Sequence, residues 1–206
     1  DGAAAHGVVN SAVDLVRQSK HTQRLSGLVN AVLRKLAKDG PAKWGALPDP
    51  QMPKWLRKPL VRDFGKATVK AIETAHAQGA ALDLTVKSDA QSWAEKLGGT
   101  VLPTGSVRLK GSPQVSALAG FDDGDWWVQD AAAALPVHML RPMRGERVLD
   151  LCAAPGGKML QMAAAGANVT ALDISKKRME RVAQNLERTG LSAEIVIADA
   201  LKYRAD

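Results

Sequence analysis

The stretch that decides the fold is "VLDLCAAPGGKMLQ", residues 148–161. It begins as an apolar strand, continues through a proline and two glycines, and ends in residues that favour a helix. A turn that delivers backbone amides to a helix N-terminus is a frequent ligand site, because the amides and the helix dipole attract negative or polar groups. The stretch therefore predicts a ligand-binding loop between the first strand and the first helix of an α/β domain.

Two common nucleotide-binding loops do not fit this stretch. A P-loop needs a glycine, four residues and then Gly-Lys-Ser/Thr. Aligned on Gly157 and Lys158, its first glycine position holds Cys152 and its hydroxyl position holds Met159. The dinucleotide pattern G-x-G-x-x-G also fails, because the two glycines, Gly156 and Gly157, are adjacent. An enzyme that depends on NAD or a nucleotide is therefore disfavoured.

Residues 126–206 alternate between strand and helix patterns. The strand patterns are "RVLDLC", "NVTALDIS" and "AEIVIADA", and the helix patterns between them are "GKMLQMAAA" and "KKRMERVAQNLERTG". The strands are short apolar runs without polar alternation, which is typical of parallel strands buried on both faces. We therefore predict right-handed βαβ units in a doubly wound sheet.

Acidic residues follow the second and third predicted strands. Asp173 comes 23 residues after Asp150, where a doubly wound sheet places a carboxylate that accepts hydrogen bonds from ribose hydroxyls. Asp199 ends the third strand and is placed to face an adenine edge. A ligand across these strand ends would be an adenosine compound. Two plainer alternatives stay open: Asp173 can assist the next helix start, and the two glycines can form an ordinary helix-entry turn.

The residues before 126 show two further patterns. In residues 1–79 apolar residues recur at helical spacing. One helix is expected over about residues 6–19, and a second stripe, which Gly40 and Pro41 are expected to end, consists of Leu25, Leu28, Val29, Val32, Leu33 and Leu36. In residues 80–125 the strand patterns "LDLTVK" and "SVRLKG" flank a short helix, "DAQSWAEKL". We therefore predict a helical region over 1–79, a small α/β module over 80–125 and the parallel-sheet domain over 126–206.

Charge is distributed unevenly along the 206 residues. The chain carries 28 Lys and Arg against 21 Asp and Glu, a net charge of +7. Residues 1–80 hold 13 of the basic and 6 of the acidic residues, so the whole excess lies there. The excess favours a polyanionic partner, and a solvated basic surface is the equally open alternative. The basic residues considered for such a partner are Arg17, Lys20, Arg24, Arg34, Lys35 and Lys38.

The composition also argues against several classes of protein. No run approaches 18 apolar residues, so no membrane span is predicted, and the start "DGAAAHGVVN" lacks the features of a secretory signal. A single cysteine predicts a reducing, cytoplasmic compartment. The four histidines are scattered without ligand spacing, so no metal site is predicted. The absence of an initial Met leads us to expect a chain taken from a longer polypeptide. Its oligomeric state stays open.

The loop and the strand after it resemble those of a known family. "VLDLCAAPGGK" followed by "ALDIS", with Arg178 five residues after Asp173, resembles the S-adenosylmethionine site of the RNA cytosine-5 methyltransferases. Three other segments are similar to the bacterial Sun/Fmu (RsmB) 16S rRNA methyltransferase group: "LVNAVLR" at 28–34, "MPKWLRKPL" at 52–60 and "ALAGFDDGDWWVQDAAAAL" at 117–135. The resemblance covers nearly the whole chain. The family usually has Thr where Met159 stands.

This resemblance implies a fold, a cofactor and a partner. The fold would be a Rossmann-like doubly wound methyltransferase sheet, incomplete in this chain, preceded by an all-α NusB-like RNA-binding region and the small α/β module. The cofactor would be S-adenosyl-L-methionine, and the reaction would be methyl transfer to C5 of a cytosine in 16S rRNA. The implied cofactor-binding residues are Cys152, Ala153, Ala154, Pro155, Gly156, Gly157, Lys158, Asp173 and Asp199. Arg178 would be a supporting partner or an ordinary surface residue.

The resemblance also implies where the catalytic cysteines lie. In the family one thiolate adds to C6 of the cytosine and a second cysteine assists release, and both belong to motifs beyond the third strand. This chain ends at Asp206, before either motif. No catalytic residue is therefore assigned within it, the isolated chain is expected to be inactive, and Cys152 is expected to be packed and non-nucleophilic. The alternative is a non-catalytic RNA-binding or assembly module with a vestigial cofactor fold.

Overall fold

The computed structural model describes residues 4–111 and 113–204. The outer ends of the first and last predicted domains, residues 1–3 and 205–206, lie outside the described residues. The chain divides into two compact units, residues 1–79 and residues 80–206. The proposed further division of the second unit at residues 125 and 126 stays a prediction.

The first unit is helical. Helix α1 spans Ala5–Gln18, α2 spans Ser26–Trp44 and α3 spans Lys54–Ala77, with a single 3-10 turn, Gln23–Leu25, before α2. On α1, Val9 and Val13 are buried, as their helical spacing predicts.

Helix α2 differs from the expectation in two ways. It continues through Gly40 and Pro41 to Trp44. Pro41 lies in the last turn, so the hydrogen bond that it cannot donate and the crowding of its ring against the preceding turn affect only the end of the helix. Most of the predicted apolar stripe is also not buried: the exposed residues are Leu25, Leu28, Val32 and Leu36.

Helix α3 is kinked and held by a buried ion pair. Gly65 interrupts it with a φ of +81°, so its two halves are separate helical segments. Arg57 in the first half donates to both carboxylate oxygens of Glu73 in the second half, at 2.9 and 3.3 Å. The Met52 amide also donates to Glu73, at 2.9 Å. The Arg57 guanidinium holds the pKa of the Glu73 carboxyl below its ordinary value. These contacts fix the start of α3.

The second unit begins with a small antiparallel sheet. Its elements are β1 Leu82–Val86, α4 Ala90–Leu97, β2 Thr100–Val101, β3 Val107–Leu109 and β4 Trp126–Val128. The strand order is β2-β3-β1-β4. Helix α4 covers one face, and the core beneath it contains Leu84, Val107 and Trp126. Strand β4 therefore completes the sheet of the small module although it lies after residue 125.

A buried aspartate connects this sheet to the next helix, α5, which spans Ala131–Leu140. Asp83 on β1 accepts two hydrogen bonds from Arg108 on β3, at 2.7 and 2.8 Å. It also accepts the Ala131 amide at the start of α5, at 3.1 Å. The Arg108 guanidinium holds the pKa of Asp83 below its ordinary value. One carboxylate thus joins two strands and a helix N-terminus.

The rest of the second unit is a parallel three-stranded sheet. It contains β5 Arg147–Leu151, α6 Gly157–Ala164, β6 Asn168–Asp173, α7 Lys176–Thr189 and β7 Glu194–Ile197, with strand order β5-β6-β7. Register pairs include Leu151 with Leu172 and Asp173 with Ile197. Helices α6 and α7 contribute Met159, Leu160, Met179 and Val182 to one core. The βαβαβ prediction is confirmed, and the sheet is partial.

One face of this partial sheet is open to solvent. Val148 packs against the core formed with α6 and α7. Its neighbours in β5 alternate to the other face, where Leu149 is 38% and Leu151 is 52% exposed. The expectation of strands buried on both faces is therefore wrong for β5 among the described residues. Its apolar sequence is that of a doubly covered strand, but the helices described here cover one side.

Candidate functional site

The loop of interest leaves β5 and enters α6. Cys152 has a φ of +62°, and Gly156, the N-cap of α6, has a φ of +108°. The Ala153 amide donates to the Leu172 carbonyl at 2.9 Å, which fixes the loop beside β6. A Cβ on Gly156 would lie 3.1 Å from Cε of Met159, and its φ is one that side chains rarely adopt. The backbone therefore requires glycine at 156, whereas Gly157 has only ordinary contacts with Gln129.

Asp173 holds this loop from the end of β6. Its carboxylate is buried and accepts the Ala154 amide at 3.3 Å and the Ser175 amide at 2.9 Å. Arg178 on α7 lies 3.4 Å from Oδ2 of Asp173 and also donates to the Ala154 carbonyl. The structure therefore favours the prediction that Arg178 holds the loop over the alternative that it is an ordinary surface residue. The helix-start role of Asp173 through Ser175 is present as well.

Asp199 lies at the same edge of the sheet. The Ala198 amide donates to the Asp173 carbonyl at 3.2 Å, so β7 ends beside β6. Asp199 then begins a turn in which its Oδ1 accepts the Leu201 amide at 3.0 Å. The structure thus brings together the loop 152–158, Asp173 and Asp199 at the carboxyl ends of three parallel strands.

A cavity of about 870 Å³ opens beside the loop. It is lined by Cys152–Pro155, Gly157 and Lys158 of the loop, by Gln129 and Asp130 before α5, and by Arg181 and Asn185 of α7. Asp173 and Asp199 do not line it. The loop itself, including Ala154, borders the cavity, and Asp173 contacts the loop at the Ala154 amide.

The cavity also contains an acidic group, Asp150, that was not among the predicted site residues. Asp150 on β5 lines it, and its buried Oδ2 has no hydrogen-bond partner within the described ranges. Burial raises the pKa of Asp150 above its ordinary value, opposed by the charge of Lys158 and by the Met159 amide. A carboxylate inside an apolar strand is the signal that could have identified it, because such a group needs a partner.

Cys152 is exposed and lines the same cavity. The expectation that it is packed is therefore wrong. The reason is its left-handed backbone, which takes it out of the strand direction.

In residues 4–111 and 113–204, no cluster of three or more His, Cys, Asp or Glu side chains is arranged to hold a metal ion. Over the same residues, no helix combines the length and apolar character needed to cross a membrane.

Solved structures with the same fold include two of high coverage. The crystal structure of PH0851 superposes with a TM-score of 0.70 at 21% identity, over 98% of this chain and 49% of that one. A methyltransferase homologue from Pyrococcus horikoshii superposes with a TM-score of 0.59 at 21% identity, over 73% of this chain and 58% of that one.

Sequence comparisons are more specific. A family model of 16S rRNA methyltransferases RsmB/F matches residues 137–206. Ribosomal RNA small subunit methyltransferase B of Erwinia tasmaniensis is 33% identical over 95% of this chain and 49% of its own length. The protein of the same name from Xanthomonas campestris is 36% identical over 90% of this chain and 44% of its own length. The chain thus spans about half the length of the curated relatives it matches.

The fold, the loop and these similarities define the class of the parallel-sheet domain: a Rossmann-like methyltransferase domain whose cofactor is S-adenosylmethionine. The chain belongs to the Sun/Fmu (RsmB) family of rRNA methyltransferases.

The residues present fit this cofactor. Its methionine end carries an ammonium and a carboxylate. The unpartnered oxygen of Asp150 supplies an acceptor for the first, and Lys158 with the N-terminus of α6 supplies positive charge for the second.

Proposed function

We propose that this chain is the RNA-binding and cofactor-binding part of an enzyme that transfers a methyl group to C5 of a cytosine in 16S rRNA. The observation that carries the proposal is the convergence of the loop 152–158, Asp173 and Asp199 at one edge of the parallel sheet. Support for the substrate comes from the names of the relatives, which are ribosomal RNA small subunit methyltransferases. A cytoplasmic location follows from that substrate.

Within this proposal each site residue has a stated role. The cofactor supplies an electrophilic methyl group when bound. The backbone of Cys152–Lys158 would enclose its methionine and ribose end, with Asp150 accepting from the ammonium. Asp173 would accept from the ribose hydroxyls, and Asp199 would lie beside the adenine. Arg178 fixes the position of both Asp173 and the loop, so it is a positioning residue.

The nucleophile is assigned outside this chain. Cytosine C5 is a poor nucleophile until a thiolate adds to C6, which converts C5 into an enamine-like carbon. We assign that thiolate to a cysteine of the longer polypeptide rather than to Cys152. Isolated residues 1–206 should therefore bind the cofactor without methylating RNA.

Calorimetry on the purified 206-residue chain tests this proposal. S-adenosylmethionine should bind, whereas NAD and ATP should not. A methylation assay with 16S rRNA should give turnover for the longer polypeptide and none for this chain. Failure of S-adenosylmethionine to bind the folded chain would favour the non-catalytic RNA-binding module instead.

A further inference from the structure

Two Lys-Trp pairs lie on the surface of the helical unit. Lys43 and Trp44 end α2, and Lys54 and Trp55 begin α3. Both tryptophans are 77% exposed. Tryptophan is highly buried on average in folded proteins, so two strongly exposed indoles in one small unit indicate a surface that contacts something else.

The charge around these indoles is positive. Lys58 lies one helical turn after Trp55, at a spacing that places the two side chains on the same face of α3. Lys43, Lys54 and Lys58 are exposed. No ion pair involves them in the part of the chain that the structure describes. The unit also holds the whole excess of basic residues in the chain. An exposed indole that shares a helical face with Lys58, in a unit of net positive charge, matches the chemistry of bases joined by phosphates.

The second pair sits on a fixed backbone. Glu73 binds the Met52 amide on one side of Trp55 and the Arg57 guanidinium on the other. Glu73 is buried, so these contacts are shielded from solvent. Trp55 is therefore presented from a held helix start, and little backbone ordering would be needed when a ligand binds.

We propose that Trp44 and Trp55 are stacking platforms for unpaired RNA bases and that Lys43, Lys54 and Lys58 bind the adjoining phosphates. The inference rests on the proposed RNA substrate and names the surface that would hold it. Unpaired RNA is the occupant because an indole can stack only on a base whose face is accessible, and in a duplex the base faces are covered.

The test uses the 206-residue chain and two labelled RNA probes, an unstructured oligonucleotide and a duplex of matched length, with binding followed by fluorescence anisotropy. Trp44→Ala and Trp55→Ala should each weaken binding of the single strand by about tenfold. Trp55→Phe should retain part of the affinity because phenyl rings also stack. The matched control is Met139→Ala, which removes an apolar side chain that is 82% exposed in the other unit, and it should change nothing.

Lysine variants provide a readout that does not depend on the indoles. Lys54→Gln and Lys58→Gln should each reduce the salt dependence of single-strand binding, because each removes about one released counterion. Lys110→Gln, an exposed lysine of the second unit, should not.

Several outcomes would overturn the proposal. One is that the unmutated chain does not bind the single strand, or that both tryptophan variants bind it as tightly as the unmutated chain does. Another is that the tryptophan variants lose as much affinity for the duplex as for the single strand. A third is that the chain binds anionic phosphatidylglycerol vesicles with the same dependence on the two tryptophans. Calorimetry with S-adenosylmethionine on Trp55→Ala separates the two hypotheses. If Trp55→Ala still binds the cofactor while its RNA binding falls, the proposed RNA-binding surface is supported. If the unmutated chain does not bind S-adenosylmethionine, the proposed function is wrong, whereas the RNA-binding surface is not affected by that result.

Discussion

The backbone amide of Ala154 donates to Oδ2 of Asp173 at 3.3 Å, so the end of the second parallel strand holds the loop that follows the first. Ser175 and Arg178 contact the same carboxylate. A carboxylate offers about four lone-pair positions, and three protein groups use this one. Asp173 therefore holds the loop in place, and its carboxylate can still accept about one further hydrogen bond, for example from a ligand.

Asp173→Asn tests that combined role. The amide keeps one accepting oxygen but loses the charge that attracts Arg178, so the loop is less firmly held and ribose hydroxyls lose a charged acceptor. Affinity for S-adenosylmethionine should fall about tenfold or more, measured by calorimetry. Glu194→Gln is the matched control, since it removes an acidic charge from the same sheet beside Thr170. Equal affinity of Asp173→Asn and the unmutated chain would remove Asp173 from the site.

Asp150→Asn should affect stability and binding in opposite directions. Because burial raises the pKa of Asp150 in the folded chain, the folded state holds a proton that the unfolded chain releases at lower pH. Stability from this group is therefore present below the ordinary Asp pKa of about 4 and is lost as pH rises through the raised value. The neutral variant lacks this loss and should melt at a higher temperature than the unmutated chain at neutral pH.

The same variant should bind S-adenosylmethionine about tenfold more weakly, because the ammonium loses a charged acceptor. Thermal melts across pH 3 to 8 (roughly the span set by carboxyl titration) and calorimetry at neutral pH provide the two readouts. If Asp150→Asn melts at a lower temperature and binds the cofactor normally, Asp150 is a structural residue only.

Cys152→Ser should leave the chemistry largely intact. The side chain is exposed beside the cavity, but the proposed nucleophile lies elsewhere in the polypeptide, and serine fits the same backbone. Cofactor affinity of this chain should change by less than about threefold, equivalent to less than about 1 kcal/mol. Methyl transfer by the longer polypeptide should persist. Complete loss of transfer with normal cofactor binding would identify Cys152 as essential to the reaction.

The parallel sheet was predictable because its signals are local. Each strand is a short apolar run, and each is followed by a turn with glycine, proline or aspartate, so the order of β5, α6, β6, α7 and β7 follows from the sequence. The convergence of the loop with Asp173 followed from the same reasoning, because parallel strands present their carboxyl ends at one edge.

Other features depend on contacts between distant residues and were missed or wrong. The exposure of Leu149 and Leu151 depends on which faces helices cover, which an apolar run does not specify. The burial that raises the pKa of Asp150 comes from the packing of the folded chain, which the sequence of β5 alone does not specify. Exposure of Cys152 depends on one left-handed backbone angle. The continuation of α2 past Pro41 shows that a proline near a helix end does not always terminate it.

Gly124→Ala tests how the small module is attached to the parallel-sheet domain. A Cβ on Gly124 would lie 1.9 Å from the Arg188 carbonyl at the end of α7, and the φ of Gly124 is +68°. Nearby, Arg188 donates to the Phe121 and Trp126 carbonyls at 2.6 and 3.1 Å, and Lys87 donates to the Thr189 carbonyl. The added methyl group must push the loop away from α7, and these hydrogen bonds would be stretched or lost.

Gly145→Ala is the control that separates the cost of the left-handed backbone from the cost of the steric clash in Gly124→Ala. Gly145 has a φ of +80°, yet a Cβ there meets no atom within 4 Å, so alanine at 145 adds only the left-handed backbone penalty of about 1–2 kcal/mol. Alanine at 124 adds a steric clash with the backbone to the same penalty. The free energy of unfolding of the Gly124→Ala variant should therefore fall by about 3 kcal/mol or more. Denaturant titrations of both variants measure the difference. A larger loss of stability for Gly124→Ala means that the close approach of the loop to α7 fixes the small module against the end of α7. If the two variants lose the same stability, the loop moves away from α7 at no energetic cost, and this approach does not hold the small module.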